Sequence, residues 1–175
     1  MDDASFDAFY ASSVRRLVSQ LYVMTGDLAE AQDCVQEAFV RAWQHRGQLS
    51  VQGNPEGWVR STAWRLAVSR WRRATATLRA YGRHGAAVEA PAPDRLDPDL
   101  ADALRALVPE QRRALVLFYL CDLPVAEIAM ETGIKPGTVR VQLSRGRTAL
   151  AAALGAPDRT PLTDRLGTVT EAPHV

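Results

Sequence analysis

The sequence predicts an all-α protein: two small helical domains joined by a flexible linker, the C-terminal one a helix-turn-helix. Three observations carry that reading. Strand-type alternation is almost absent, whereas apolar residues recur at helical spacing in several segments. A stretch rich in Ala, Gly, Pro and Arg, without sustained periodicity, parts those segments into two groups. Residues 122–150 carry the punctuation of two short helices joined by a tight turn.

The first group spans a domain expected over residues 1–75, with helices at 5–24, 28–45 and 55–73. Thr25-Gly26-Asp27 makes the turn between the first two. The polar segment 45–54, with two glycines, reads as a loop. On the second helix Val35, Ala38, Phe39, Ala42 and Trp43 form the inward face, and Asp33, Gln36, Glu37 and Val40 point away from it. Two carboxylates around an exposed valine are either an ordinary solvated face or a docking surface for a basic protein partner.

The third helix gathers Val59, Ala63, Trp64, Leu66, Ala67, Val68 and Trp71 on one broad side, which is expected to be core. Trp58, Thr62, Arg65, Ser69, Arg72 and Arg73 collect on the other. An indole among arginines offers a stacking platform for an unpaired base, with the cations tracking phosphates. Melted or single-stranded DNA is therefore a candidate partner of this domain.

Residues 76–98 read as the linker. The second domain, 99–155, carries helices at 99–107, 109–121, 125–132 and 136–153. The final segment, 156–175, has three prolines and mixed charge and is expected to be disordered.

Within the second domain Pro124 opens one helix, Ile128 and Ala129 face inward, and Gly133 supplies a turn where a Cβ would be costly. Pro136 opens the next helix, on which Val139, Leu143, Gly146 and Leu150 fall on one stripe. Arg140, Ser144 and Arg147 lie beside that stripe, with Val141, Arg145 and Thr148 beyond them. This is a helix-turn-helix with a basic face, the geometry that enters a DNA major groove. The bland alternative is a helical hairpin with solvated arginines. Lys135 stands where the second helix needs an N-cap acceptor, which lysine does not have.

Charge follows the same division. Residues 1–40 hold 2 basic and 7 acidic side chains, and residues 41–90 hold 9 and 2. Residues 91–134 hold 4 and 8, and residues 135–175 hold 6 and 3. A formal net charge of +1 thus hides alternating blocks, two of them suited to a polyanion and two to a protein partner.

Cys34 and Cys121 have no CxxC spacing and read as free thiols, which suits a cytoplasmic protein. The three histidines lack ligand spacing, so no metal or other cofactor is expected. No apolar run approaches membrane-spanning length, and neither a phosphate-cradling glycine loop nor a nucleophile elbow is present. Nothing supports an enzyme.

The ordered set MTGD (24–27), DCVQEAFVRAW (33–43), the tryptophan-arginine helix, PEQRRALVLFYLCDLPVAEIA (109–129) and GTVRVQLSRGRTAL (137–150) resembles a bacterial RNA polymerase sigma factor of the extracytoplasmic-function (ECF) group. The likeness runs over about residues 5–155. It implies binding to core RNA polymerase and direction of transcription to particular promoters. Asp33, Gln36, Glu37 and Val40 match the family's docking surface for the clamp helices of the largest polymerase subunit. Trp58, Thr62, Arg65, Ser69, Arg72 and Arg73, with the 45–54 loop, match the part that opens the −10 element and holds a flipped base. Lys135, Thr138, Arg140, Val141, Ser144, Arg145 and Arg147 match the −35 reader. An anti-sigma factor is a further partner that the resemblance brings into view.

The chain also departs from the family pattern. Arg65 and Ser69 stand where Asn and Asp are common, and Val141-Gln142 where Ser-Arg is frequent, so its promoter preferences do not follow from its relatives. Two rival readings come from the residues alone. A duplex-binding regulator without polymerase contact accounts for 122–150 only, and a helical adaptor or anti-sigma-type regulator would touch no DNA.

Overall fold

Short polar side chains set where the first helices begin. Asp2 accepts a hydrogen bond from the Ser5 N–H at 2.8 Å and opens α1 (Asp3–Thr25). Asp27 accepts one from the Glu30 N–H at 2.9 Å and opens α2 (Leu28–Gln44). Each satisfies a first-turn donor that no helical carbonyl can reach. Between them Gly26 takes φ 82°, the left-handed conformation that ends α1 and lets the chain reverse.

The computed structural model describes residues 1–81 and 97–155, and the chain falls into two compact units, Met1–Pro91 and Ala92–Val175. Among the described residues all regular structure is helical, as the sequence predicts.

In the first unit α1 and α2 pack on each other and on α4 (Pro55–Tyr81). The core of this unit holds Leu17, Leu21, Tyr22 and Met24 from α1 and Ala31, Val35, Ala38, Phe39 and Ala42 from α2, with Val59, Ala63 and Ala67 supplied by α4. The alanines keep the helix faces shallow enough for close approach. Each leucine buried here contributes about 1.5–3 kcal/mol over exposure. Phe39 sits among three rings, with centroids 6.3 Å from Phe6, 5.5 Å from Phe9 and 4.8 Å from Tyr10.

Three expectations need correction in this unit. Residues 45–54 are not a loop: Arg46–Gln52 forms a short helix, α3, anchored by the buried Leu49 and ended by Gly53 at φ 72°. Asn54 then starts α4 by accepting from the Gly57 N–H at 2.8 Å. The third helix does not stop at Arg73 but runs to Tyr81, past the domain boundary expected at residue 75. Trp71 is 63% exposed rather than core, because residues 71–74 are exposed all round the helix, which has by then cleared α1 and α2. The remainder of the expected linker, 82–96, lies outside the described residues, as does the tail, 156–175.

The second unit starts with α5 (Pro98–Arg105), capped by Asp97, which accepts from Asp99 N–H at 2.8 Å and Leu100 N–H at 3.2 Å. Next comes α6 (Pro109–Leu115), which the sequence predicts to continue regularly to Cys121. Instead it widens into a π-helical turn, Val116–Leu120, where the Cys121 N–H reaches back to the Val116 carbonyl at 3.1 Å. Asp122, at φ 52°, then turns the chain into α7 (Val125–Thr132). Gly133 closes α7 at φ 72°, its N–H on the Ala129 carbonyl at 2.9 Å. The last helix, α8 (Pro136–Ala153), buries Val139, Leu143, Gly146 and Leu150, the expected stripe. Gly146 is the contact point with α6: a Cβ there would lie 3.2 Å from Leu115 and 3.4 Å from Gln111.

Candidate nucleic-acid interface

The buried stripe of α8 fixes what the rest of that helix presents. Thr138, Arg140, Ser144, Arg145 and Arg147 are exposed, and Val141 is exposed at 46%. Among the described residues Arg140, Arg145 and Arg147 make no ion pair with a carboxylate, whereas Arg41, Arg60 and Arg105 all do. Arg140, Arg145 and Arg147 face solvent from a helix with no acid in its first turn. Lys135 is the N-cap residue of α8, at φ −65° and ψ 143°, and makes no side-chain cap. Thr138 N–H instead reaches the Lys135 carbonyl at 2.9 Å. A lysine beside the positive end of a helix is locally unfavourable and becomes favourable once a phosphate sits between them.

On α4, Trp58, Arg65, Ser69 and Arg72 recur at i, i+7, i+11 and i+14 and so share one strip, with Arg73 at its edge. Arg65, Ser69, Arg72 and Arg73 are exposed and Trp58 is half-buried. The His45 ring lies beside the Trp58 ring, centroids 5.9 Å apart and planes 36° apart. Thr62 does not belong to this surface. It is only 6% exposed, in a stretch, 59–63, that is buried on every side, and Arg65 folds back to it, its guanidinium 3.4 Å from the Thr62 hydroxyl and 3.2 Å from the Ser61 carbonyl.

On α2, Asp33, Gln36 and Val40 are exposed, Val40 at 55%, and Glu37 is half-exposed between them. Glu37 accepts from Arg41 Nε one turn on, at 2.9 Å. The patch is therefore an outward strip with Val40 at its apolar end, on the face where the helical wheel places it.

What the sequence did not reveal is a buried polar clasp between α1 and α4. Arg60 is 5% exposed, its Nη1 3.2 Å from Gln20 Oε1 and 3.5 Å from Glu56 Oε1. Glu56 also takes Arg16. Arginines on a cationic helix are read as solvated, and only the i,i+4 spacing of Glu56 and Arg60 hinted otherwise. Cys34 is another group defined by burial: its thiol donates to Glu30 Oε1 at 3.2 Å, and burial with that carboxylate pushes its pKa up to about 12. Among the described residues no helix is long and apolar enough to cross a membrane.

A helix-turn-helix with solvent-facing cations, carried in one chain with a second helical unit bearing an aromatic-cationic strip, defines a DNA-binding transcription factor. The Sigma-70 region 2 family model matches residues 9–77, and the Sigma-70, region 4 model matches residues 98–150. The chain is 31% identical over 142 residues to the ECF RNA polymerase sigma factor SigL of Mycobacterium tuberculosis, covering 75% of this chain and 78% of that one. It is 34% identical over 161 residues to the ECF RNA polymerase sigma factor SigE of Mycolicibacterium smegmatis, covering 83% of this chain and 60% of that one. Its fold is similar to that of the sigma factor RpoE of Bartonella quintana, solved in complex with the anti-sigma factor NepR, with a TM-score of 0.79 at 22% identity over 89% of this chain and 99% of that one. The chain belongs to the ECF RNA polymerase sigma factors. It is a transcription initiation factor that binds core RNA polymerase and directs it to promoters.

Proposed function

We propose that three surfaces divide the work of initiation. The outward strip of α2, with Asp33, Gln36, Glu37 and Val40, docks on a cationic surface of core polymerase. The strip on α4, with Trp58, Arg65, Ser69, Arg72 and Arg73, holds the melted −10 element. The exposed side of α8, with Lys135, Thr138, Arg140, Val141, Ser144, Arg145 and Arg147, reads the duplex −35 element. Thr62 contributes to the second surface only by supporting Arg65.

The observation that supports this reading most is that Arg140, Arg145 and Arg147 on α8 are exposed and, among the described residues, make no ion pair with a carboxylate. A duplex-binding regulator that ignores polymerase leaves α2 and α4 without a task. The factor acts in the cytoplasm, where polymerase and chromosome are, with no cofactor and no covalent chemistry of its own. An anti-sigma factor is a candidate regulator of the same surfaces.

Reversing both charges on α2 (Asp33→Lys with Glu37→Lys) tests the docking assignment. The sites are exposed, so each costs folding on the order of 0.5 kcal/mol. Core binding should be lost with helical content retained. Wild-type affinity for core polymerase in the double variant would remove the docking assignment.

A further inference from the structure

The α2 strip and the α4 strip are joined by one side chain. Arg70, on α4 between Ser69 and Trp71, reaches back to α2, with its Nη1 3.6 Å from Glu30 Oε1 and 3.9 Å from Asp33 Oδ2. Both distances exceed the 2.7–2.9 Å typical of a charge-assisted hydrogen bond. By contrast Arg41 meets Glu37 at 2.9 Å and Arg105 meets Asp102 at 2.7 Å. Arg70 is thus held by the field of two carboxylates rather than locked to either, and its side chain keeps 35% of its surface exposed. Glu30 is already engaged, accepting the Cys34 thiol, whereas Asp33 is 67% exposed. On the other side, Arg73 follows Arg70 by three residues, so the two are surface neighbours. Arg73 folds its Nε onto the Ser69 carbonyl at 3.3 Å, inside the α4 strip.

We propose that Arg70 is a positioning residue that couples docking to promoter opening. In the free protein Asp33 and Glu30 hold it toward α2. When a cation of the polymerase takes Asp33, one of the two attractions is neutralised, and Arg70 swings to the neighbouring strip, where it takes a phosphate of the melted strand. The exchange is one of partners: Asp33 trades Arg70 for a polymerase cation, and Arg70 trades a carboxylate for a phosphate. The proposal rests on the assignments of α2 to polymerase and α4 to melted DNA.

The test is a two-residue cycle on the full-length protein, using a fluorescein-labelled single-stranded oligonucleotide of mixed sequence, with affinity measured across a salt series. Asp33→Asn mimics docking by neutralising the carboxylate. It should tighten binding about threefold and steepen the salt dependence by about 0.7 for one added phosphate contact on a single strand. In the Arg70→Gln background the same substitution should change neither quantity, and Arg70→Lys should restore both changes. An equal gain from Asp33→Asn in both backgrounds, with an unchanged salt slope, would overturn the coupling and leave only the loss of a repelling charge. Trp58→Ala and Arg72→Ala serve as separate controls. If both bind the oligonucleotide like wild type, the α4 assignment fails, and the proposal fails with it.

Discussion

Glu56 on α4 grips Arg16 on α1 at two points, Nε to Oε1 at 3.0 Å and Nη2 to Oε2 at 2.6 Å. The same carboxylate faces the buried Arg60 at 3.5 Å, so one acidic side chain serves two guanidiniums of very different exposure.

That asymmetry sets the cost of breaking the clasp. Removing Arg16, whose side chain is mostly in water, should cost no more than about 1 kcal/mol. Glu56→Ala removes the Arg16 pair together with the carboxylate beside the buried Arg60, and should cost about 2–3 kcal/mol. Urea unfolding of the two variants measures the difference. Equal losses would mean that the exposed pair, not the buried one, carries the clasp.

The Cys34 thiol gives a pH dependence with a definite sign. Burial and the Glu30 carboxylate raise it from an ordinary 9.0 to about 12, so between those values the folded chain holds a proton that the unfolded chain releases. The stability from this group is complete below pH 9.0 and falls as the pH climbs toward 12. Against Cys34→Ala, the wild type should lose ground over that window and not below it. Native alkylation should label the partly exposed Cys121 well before Cys34. Parallel pH profiles for the two proteins would contradict the assignment.

Lys135 should trade stability for binding. Lys135→Ser supplies the missing cap of α8 and should add about 1 kcal/mol to the stability of the second unit. It should also weaken −35 duplex binding and flatten the salt slope by about 0.9, one phosphate contact. Unchanged affinity and slope would place Lys135 off the DNA.

Much of this was legible in the sequence because the chain punctuates itself. Pro124, Gly133 and Pro136 bracket α7 and α8 to the residue, and the stripe of Val139, Leu143, Gly146 and Leu150 is buried as periodicity requires. The α2 wheel succeeded for the same reason, a single apolar side against a single core. Wheels failed on α4 because its surroundings change along its length. Residues 59–63 are buried on every side, Arg60 and Thr62 included, and 71–74 are buried on none. No periodicity encodes that. The α3 helix escaped notice because Leu49 is its one apolar anchor among the residues whose side chains are described, and Gly53, read as loop, is its terminator. Sequence likewise gives no warning of the Glu30–Arg70–Asp33 arrangement, which depends on how α2 crosses α4.

The division of labour between α4 and α8 is tested most directly by permanganate footprinting of unpaired thymines, run on holoenzyme at one promoter alongside a duplex −35 binding assay. Trp58→Ala should lose thymine reactivity across the −10 element, with stacking worth about 1–3 kcal/mol removed, while −35 binding stays at the wild-type level. Arg140→Ala should lose both. Full thymine reactivity in Trp58→Ala, or intact −35 binding in Arg140→Ala, would contradict the account.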